Sequence, residues 1–383
     1  MTQNDPDFLD YLASLETKTS LSTKKEIDGT TADTLKKIGL KRKLSGKRKA
    51  GRVLLLAAAV AAGAVVTAAA AGVNVGDLFR GYFASGGPHG ALCPSGSSAT
   101  ALTESQTKVL ETVGKTLGIS AASNGTTVAV EGVVGDRSSA YVLLDVTAPK
   151  GTKLGRDDYV FDRCENQPEL QILEKGGAEP RPEGGGWSGG WNYTVLKDSG
   201  PNDNKIRMVL NIEWSGLDLR GKEVRLNLKD LSVPDPNRKP EYLPVVKGEW
   251  HFTVPLDYTS PSKELTVNKV THFKPYVSPK ASASERKEVA GKTFQCTVKS
   301  ISLSSLSATA DYGVDQPAEK GNSAPTPFVM TLHFKNGSQT EMLRIGPGSG
   351  SPTTETNTYI FSAPIDVNSV FSVTVGDLTV PVS

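Results

Sequence analysis

The residue types that carry most protein chemistry are sparse in this chain and poorly spaced for it. Its four histidines, His89, His251, His272 and His333, show no zinc spacing with one another or with Cys93, Cys164 and Cys296. The cysteines lack a Cys-x-x-Cys pair, and an odd count at wide intervals is no disulfide framework. One bridge with a thiol left over and three separate thiols both stay open. The run RDDYVFDRCEN gathers Asp157, Asp158, Asp162 and Glu165. A calcium ion wants six to eight oxygens, but the run has neither the spacing nor the glycine of an EF-hand loop, so it reads as a solvated loop. GGGWSGGW places Trp187 and Trp191 on a glycine-rich loop, where indoles either stack on a ligand or fold back onto the protein. These two are the candidate ligand contacts. No G-x-S-x-G, P-loop, H-E-x-x-H or S-x-x-K box occurs. The Asn-x-Ser/Thr matches at Asn124, Asn192 and Asn336 read as turns. A non-enzymatic protein is expected, with no cofactor and no catalytic or metal site.

The elements around these residues read as mostly β. Hydrophobic residues are 37% and charged residues 22%, with 38 Gly and 23 Pro, a turn-rich profile for 383 residues. Period-two stretches predict strands at 126–134, 141–147, 205–214, 223–228, 250–256, 265–270, 293–303, 327–334, 358–361, 371–375 and 378–382. Turn signals at Asn124-Gly125, Gly135-Asp136 and Asn336-Gly337 separate them. Many short alternating strands argue for antiparallel, Ig-like β-sandwich modules. Length suggests two, one at 101–260 and one at 261–383. A helix is expected over 103–117, from a Thr103/Gln106 capping box through Val109, Leu110, Val113 and Leu117. Residues 74–100, with SGGPHG and CPSGSS, read as a linker.

The first 73 residues are different. Residues 53–73 hold no charge and no proline, and ten of the 21 are alanine. As a helix they rise about 31 Å, close to the ~30 Å hydrocarbon core. The Ala68–Ala71 tail resembles an A-x-A cleavage site, but 52 preceding residues and the length of the run favour a retained anchor over a signal peptide. Nine Lys/Arg and no acidic residue lie between Lys36 and Arg52, which places the N-terminus in the cytoplasm and exports the rest. Some of that block can also meet anionic lipid headgroups. Residues 1–52 net +5, whereas the whole chain nets only +2. A nucleic-acid role is disfavoured because no aromatic interleaves the basic block. Within this cytoplasmic segment Asn4-Asp5-Pro6 starts a helix whose stripe is Phe8, Leu12 and Leu15; a second short helix presents Leu35 and Ile38. With no core of their own to enter, these stripes either lie on the membrane or meet a partner.

A short helical cytoplasmic segment, one span and an exported β-rich region resemble a family of Firmicutes, hence Gram-positive, anti-sigma-factor-like membrane proteins. Their ectodomains are domains of unknown function. The echoes are TADTLKKIGLKRK before the span, and NGTTVAVEGVVGDRSSAYVLLDV, GEWHFTVPLDYTSPSKELTVNKV, TFQCTVKSISLSSLSATADY and IDVNSVFSVTVGDL after it. The resemblance implies that residues 1–52 bind an extracytoplasmic-function sigma factor while the ectodomain senses an envelope signal. The zinc anti-sigma domain carries a histidine and a Cys-x-x-Cys; residues 1–52 hold neither, so sigma binding would use metal-free helices. The alternative is a surface-anchored binding or structural protein that grips cell-wall glycan or another protein.

Overall fold

The computed structural model describes residues 66–67, 73–89, 101–164, 167–180, 188–196, 203–235, 237, 242–276, 291–314, 326–351 and 353–382. The cytoplasmic helices expected in 1–52 lie outside the described residues, as does most of the 53–73 run. Within that run Val66–Thr67 (β1) is extended where the apolar pattern predicts helix, paired with Ser120 and Ile119. The free edge of a sheet offers unpaired backbone groups, and a β-branched pair satisfies two positions of it. Among the described residues no helix is long and apolar enough to cross a membrane.

Two further sequence expectations change. The 74–100 segment contains a helix, Val75–Ala84 (α1), rather than an unbroken linker. Phe79, Tyr82 and Phe83 fall at i, i+3 and i+4, one apolar face, and the Asn74 side chain caps the start by accepting from the Gly76 amide at 2.7 Å. The helix expected to reach Leu117 stops early, at Glu104–Thr112 (α2), with the Thr103/Gln106 capping box in place. It ends because Gly114–Ser123 (β2) joins the ladder of Thr126–Gly135 (β3), with Gly114 opposite Val134. A Cβ at Gly114 would lie 2.5 Å from the Val134 side chain, so only glycine allows that approach.

The architecture is mostly β and antiparallel. The first module adds Ser139–Thr147 (β4), Val160–Arg163 (β5), Leu170–Leu173 (β6), Ser188–Val195 (β7), Lys205–Ser215 (β8), Glu223–Pro234 (β9) and Tyr242–Pro255 (β10). A six-stranded sheet runs β1-β2-β3-β4-β8-β7, and a four-stranded sheet runs β10-β9-β5 with β6 also on β9. The β2–β3 turn uses Asn124 and Gly125, both at positive φ (48° and 78°), as a tight two-residue hairpin requires. The two sheets enclose Val128, Val142, Leu144, Met208, Leu226 and Leu228, with Trp250 fully buried and its indole donating to the Thr126 carbonyl at 3.2 Å. β4 is apolar on both faces. Val142 and Leu144 enter that core; Tyr141 and Leu143 point the other way, under α1.

The second module comprises Lys263–Phe273 (β11), Phe294–Leu303 (β12), Ser307–Gly313 (β13), Val329–Phe334 (β14), Gln339–Ser351 (β15), Thr354–Ile360 (β16), Val370–Val375 (β17) and Leu378–Pro381 (β18). They form one eight-stranded sheet in the order β11-β12-β13-β16-β15-β14-β17-β18. The sheet curls until its edges meet. The Asp377 amide donates to the His272 carbonyl at 3.0 Å, and Thr271 Oγ1 donates to the Val375 carbonyl at 2.6 Å. Its own core holds Val298, Ile301, Met330, Leu332, Tyr359 and Val373.

Candidate functional site

Phe8, Leu12, Leu15, Leu35, Ile38 and Trp187 lie outside the described residues. Trp191 lies not on a loop but on the edge strand β7, opposite Ile212, half-buried against the first core. Glycine keeps this strand close to its neighbour: a Cβ at Gly189 would stand 2.3 Å from the Trp214 ring. Beside Trp191 the carboxylate of Glu169 accepts from Tyr193 Oη at 2.6 Å and from the Trp191 side chain. Burial pushes the Glu169 carboxyl above its ordinary value, more than those donors pull it down. The indole is thus folded back and hydrogen-bonded within the protein.

The other chemistry-bearing residues disperse. His251 Nδ1 is 3.0 Å from Asn227 Oδ1, and His333 Nε2 is 2.8 Å from Thr374 Oγ1. His272 Nδ1 stands 3.1 Å from Asp377 Oδ2, a His–carboxylate pair at the sheet closure. Asp377 is held below the ordinary carboxylate value chiefly by the His272 amide. Among the described residues no hydroxyl or thiol bonds the other ring nitrogen of His272. Cys164 and Cys296 are buried in different modules, and neither is in a disulfide. In the acidic run, Asp158 is clamped bidentately by Arg156 at 2.7 and 2.6 Å, and Asp162 accepts from Ser232. Among the described residues no group of three or more His, Cys, Asp or Glu side chains is placed to hold a metal. An open depression of about 490 Å³ between α1 and α2 is lined by Asp77, Arg80, Leu102, Glu104, Thr107, Lys108 and Glu111, a mixed-charge rim without a nucleophile–base pair.

Buried functional groups also gather at the junction of the two modules. Asp136, in the turn between β3 and β4, is fully buried. Its Oδ1 accepts from the Ser138 and Ser139 amides and the Ser139 hydroxyl, each at 3.0 Å. Its Oδ2 reaches the second module, accepting from the Leu306 amide at 3.1 Å and the Ser307 hydroxyl at 2.7 Å. Tyr258, on the connecting segment, donates to the Asp136 carbonyl at 3.1 Å and packs where any Cβ on Gly135 would stand. Burial raises the Asp136 carboxyl above its ordinary value, against the opposing pull of its serine partners. Around it an apolar cluster draws Phe79, Tyr82 and Phe83 from α1, Val134, Tyr141 and Val209 from the first module, and Leu306 and Ile360 from the second. At the rim Ser215 Oγ donates to the Thr356 carbonyl at 3.1 Å, and Arg137 pairs with Glu264 at 3.3 Å.

Sequence reasoning placed only a turn at Gly135-Asp136. The second-module partners of Asp136, Leu306 and Ser307, lie about 170 residues away, and no local period encodes such a pairing. The one available cue was the i, i+3, i+4 aromatic face of α1, obscured by the flanking glycines.

No family model matches the chain, and no curated protein matches it. Among solved structures it is similar to the crystal structure of the conserved domain protein from Bacillus anthracis. Identity is 16%, over 68% of this chain and 75% of that one, with a TM-score of 0.41. A likeness of that degree decides neither fold nor function.

Proposed function

We propose that the chain is a single-pass membrane regulator. On this reading the cytoplasmic residues 1–52 hold an extracytoplasmic-function sigma factor through the Phe8/Leu12/Leu15 and Leu35/Ile38 stripes, and the exported modules sense an envelope signal. The observation that carries it is positional: the uncharged run ends at residue 73, and α1, seated at the junction of both modules, begins at Val75. A basic block on one side and a two-module body on the other suit a chain that spans once.

Purification of the full chain from membranes of its native host tests the reading. A sigma factor is expected to co-purify, and Phe8→Asp with Leu12→Asp is expected to reduce its recovery at least tenfold. Absence of any sigma factor from the wild-type complex would sink the proposal. The alternative, a surface-anchored protein gripping cell-wall glycan, is weakened because Trp191 is hydrogen-bonded and packed within the fold rather than presented for stacking.

A further inference from the structure

α1 touches both modules, and its two ends are fixed to different ones. At its start a Cβ on Gly76 would lie 2.8 Å from the Thr107 carbonyl of α2, which belongs to the first module. Past its end a Cβ on Gly87 would lie 2.8 Å from the Ser362 carbonyl of the second module. Between these points Phe79, Tyr82 and Phe83 are almost wholly buried in the cluster that Leu306 and Ile360 close from the second module. Phe83 meets Tyr141 edge to face at 5.5 Å. The Tyr82 hydroxyl donates to Asn211 Oδ1 at 2.6 Å, and the Asn211 amide donates in turn to Thr194 Oγ1 at 2.9 Å. The helix is therefore positioned by a specific polar contact as well as by apolar burial.

We infer that α1 is a clasp: it holds the two modules together, and opening of the junction removes the second-module side of its seat. Its Tyr82–Asn211 bond and its approach to α2 stay on the first module, so α1 frays rather than departs. A ten-residue helix is shorter than the roughly 12–15 residues that keep an isolated helix formed in water, so its order depends on that seat. The clasp does not rest on the membrane reading above.

Hydrogen exchange on the full chain in detergent micelles tests the clasp from the opposite side of the junction. Ile360→Ala, far from α1 in sequence, is expected to speed exchange of the α1 amides at least tenfold. Amides at 140–146 and 298–303, in the two cores, should stay within twofold of wild type. Ile360→Val gives a smaller rise of the same pattern and serves where the alanine variant fails to fold. Coupling between sites is reciprocal, so Phe83→Leu in α1 should speed exchange at 304–308. The clasp is overturned if α1 stays within twofold of wild type while exchange around residue 360 rises, or if α1 loosens only together with both cores. Labelling of Lys150→Cys in a Cys93→Ser background by a membrane-impermeant maleimide in intact cells tests the membrane reading separately: labelling is expected, and its absence overturns that reading alone. Failure there leaves the exchange result standing.

Discussion

At Asp136 burial and hydrogen bonding pull in opposite directions. Its donors favour the carboxylate, yet removal from water dominates and raises its folded-state value above the ordinary 3.8. The folded chain therefore takes up this proton before the unfolded chain does. The associated stability is fully present below the ordinary carboxylate value and is lost as pH rises through the folded one. The expected outcome is that wild-type stability, measured by urea unfolding, gains on that of Asp136→Asn as pH falls from 7 toward 4. A wild-type stability that instead loses on Asp136→Asn as pH falls would show that the donors, not burial, set its titration. Glu169 shifts in the same direction for the same cause, so the comparison must be between Asp136 variants and not between pH values of wild type alone. Asp136→Ala, which strands the Ser138, Ser139 and Leu306 amides, is expected to cost about 2–4 kcal/mol at neutral pH. The bridge was not legible in Gly135-Asp136, which reads as a turn because the Ser138 and Ser139 partners are local while Leu306 and Ser307 are not.

Among the elements, the strands that the sequence reveals are those whose alternation is undisturbed. The predicted 126–134, 205–214 and 371–375 lie within β3, β8 and β17. Three of the strands it hides are rich in glycine and small residues: GKTLGISAAS in β2, SGGWNYTV in β7, SATADYG in β13; β5 and β6 are four-residue strands too short to show a period. In β7 the glycines read as a loop, but Gly189 is there because β7 lies against the flat of Trp214. Overpacking at such a contact costs typically 1–3 kcal/mol, so Gly189→Ala is expected to destabilise by about 2 kcal/mol in thermal or urea unfolding. The same change in a Trp214→Leu background should cost less, because the ring part of the clash is gone while the approach to the Glu213 carbonyl at 2.6 Å remains. Equal costs in both backgrounds would mean that the glycine serves backbone conformation instead. Trp191 follows from the same geometry: once β7 is a strand, its indole is directed to the Glu169 side of the first core and not to solvent.

For the whole molecule the decisive fact is that each module has its own core, and a third cluster joins them. Modules of this size are large enough to bury a core independently, so one transition or two on heating depends on the junction rather than on either module. The junction combines α1, the Asp136 bridge, Ser215 on the Thr356 carbonyl and the Arg137–Glu264 pair. The last of these is largely exposed and contributes little by itself. Most of the coupling must then come from the buried cluster, in which Leu306 is fully enclosed. Truncating such a leucine typically costs 2–5 kcal/mol through lost transfer energy and the cavity left behind. Little of that loss falls inside either module's own core, because Leu306 contacts the junction cluster rather than the second-module core. Calorimetry of the wild-type protein is therefore expected to show one cooperative transition for both modules, and Leu306→Ala is expected to split it into two. Val373→Ala, which creates a cavity in the second core alone, should lower the transition without splitting it. A single transition in Leu306→Ala, shifted as in Val373→Ala, would mean that the exposed rim carries the coupling, and the junction cluster would then be packing without consequence for the assembly.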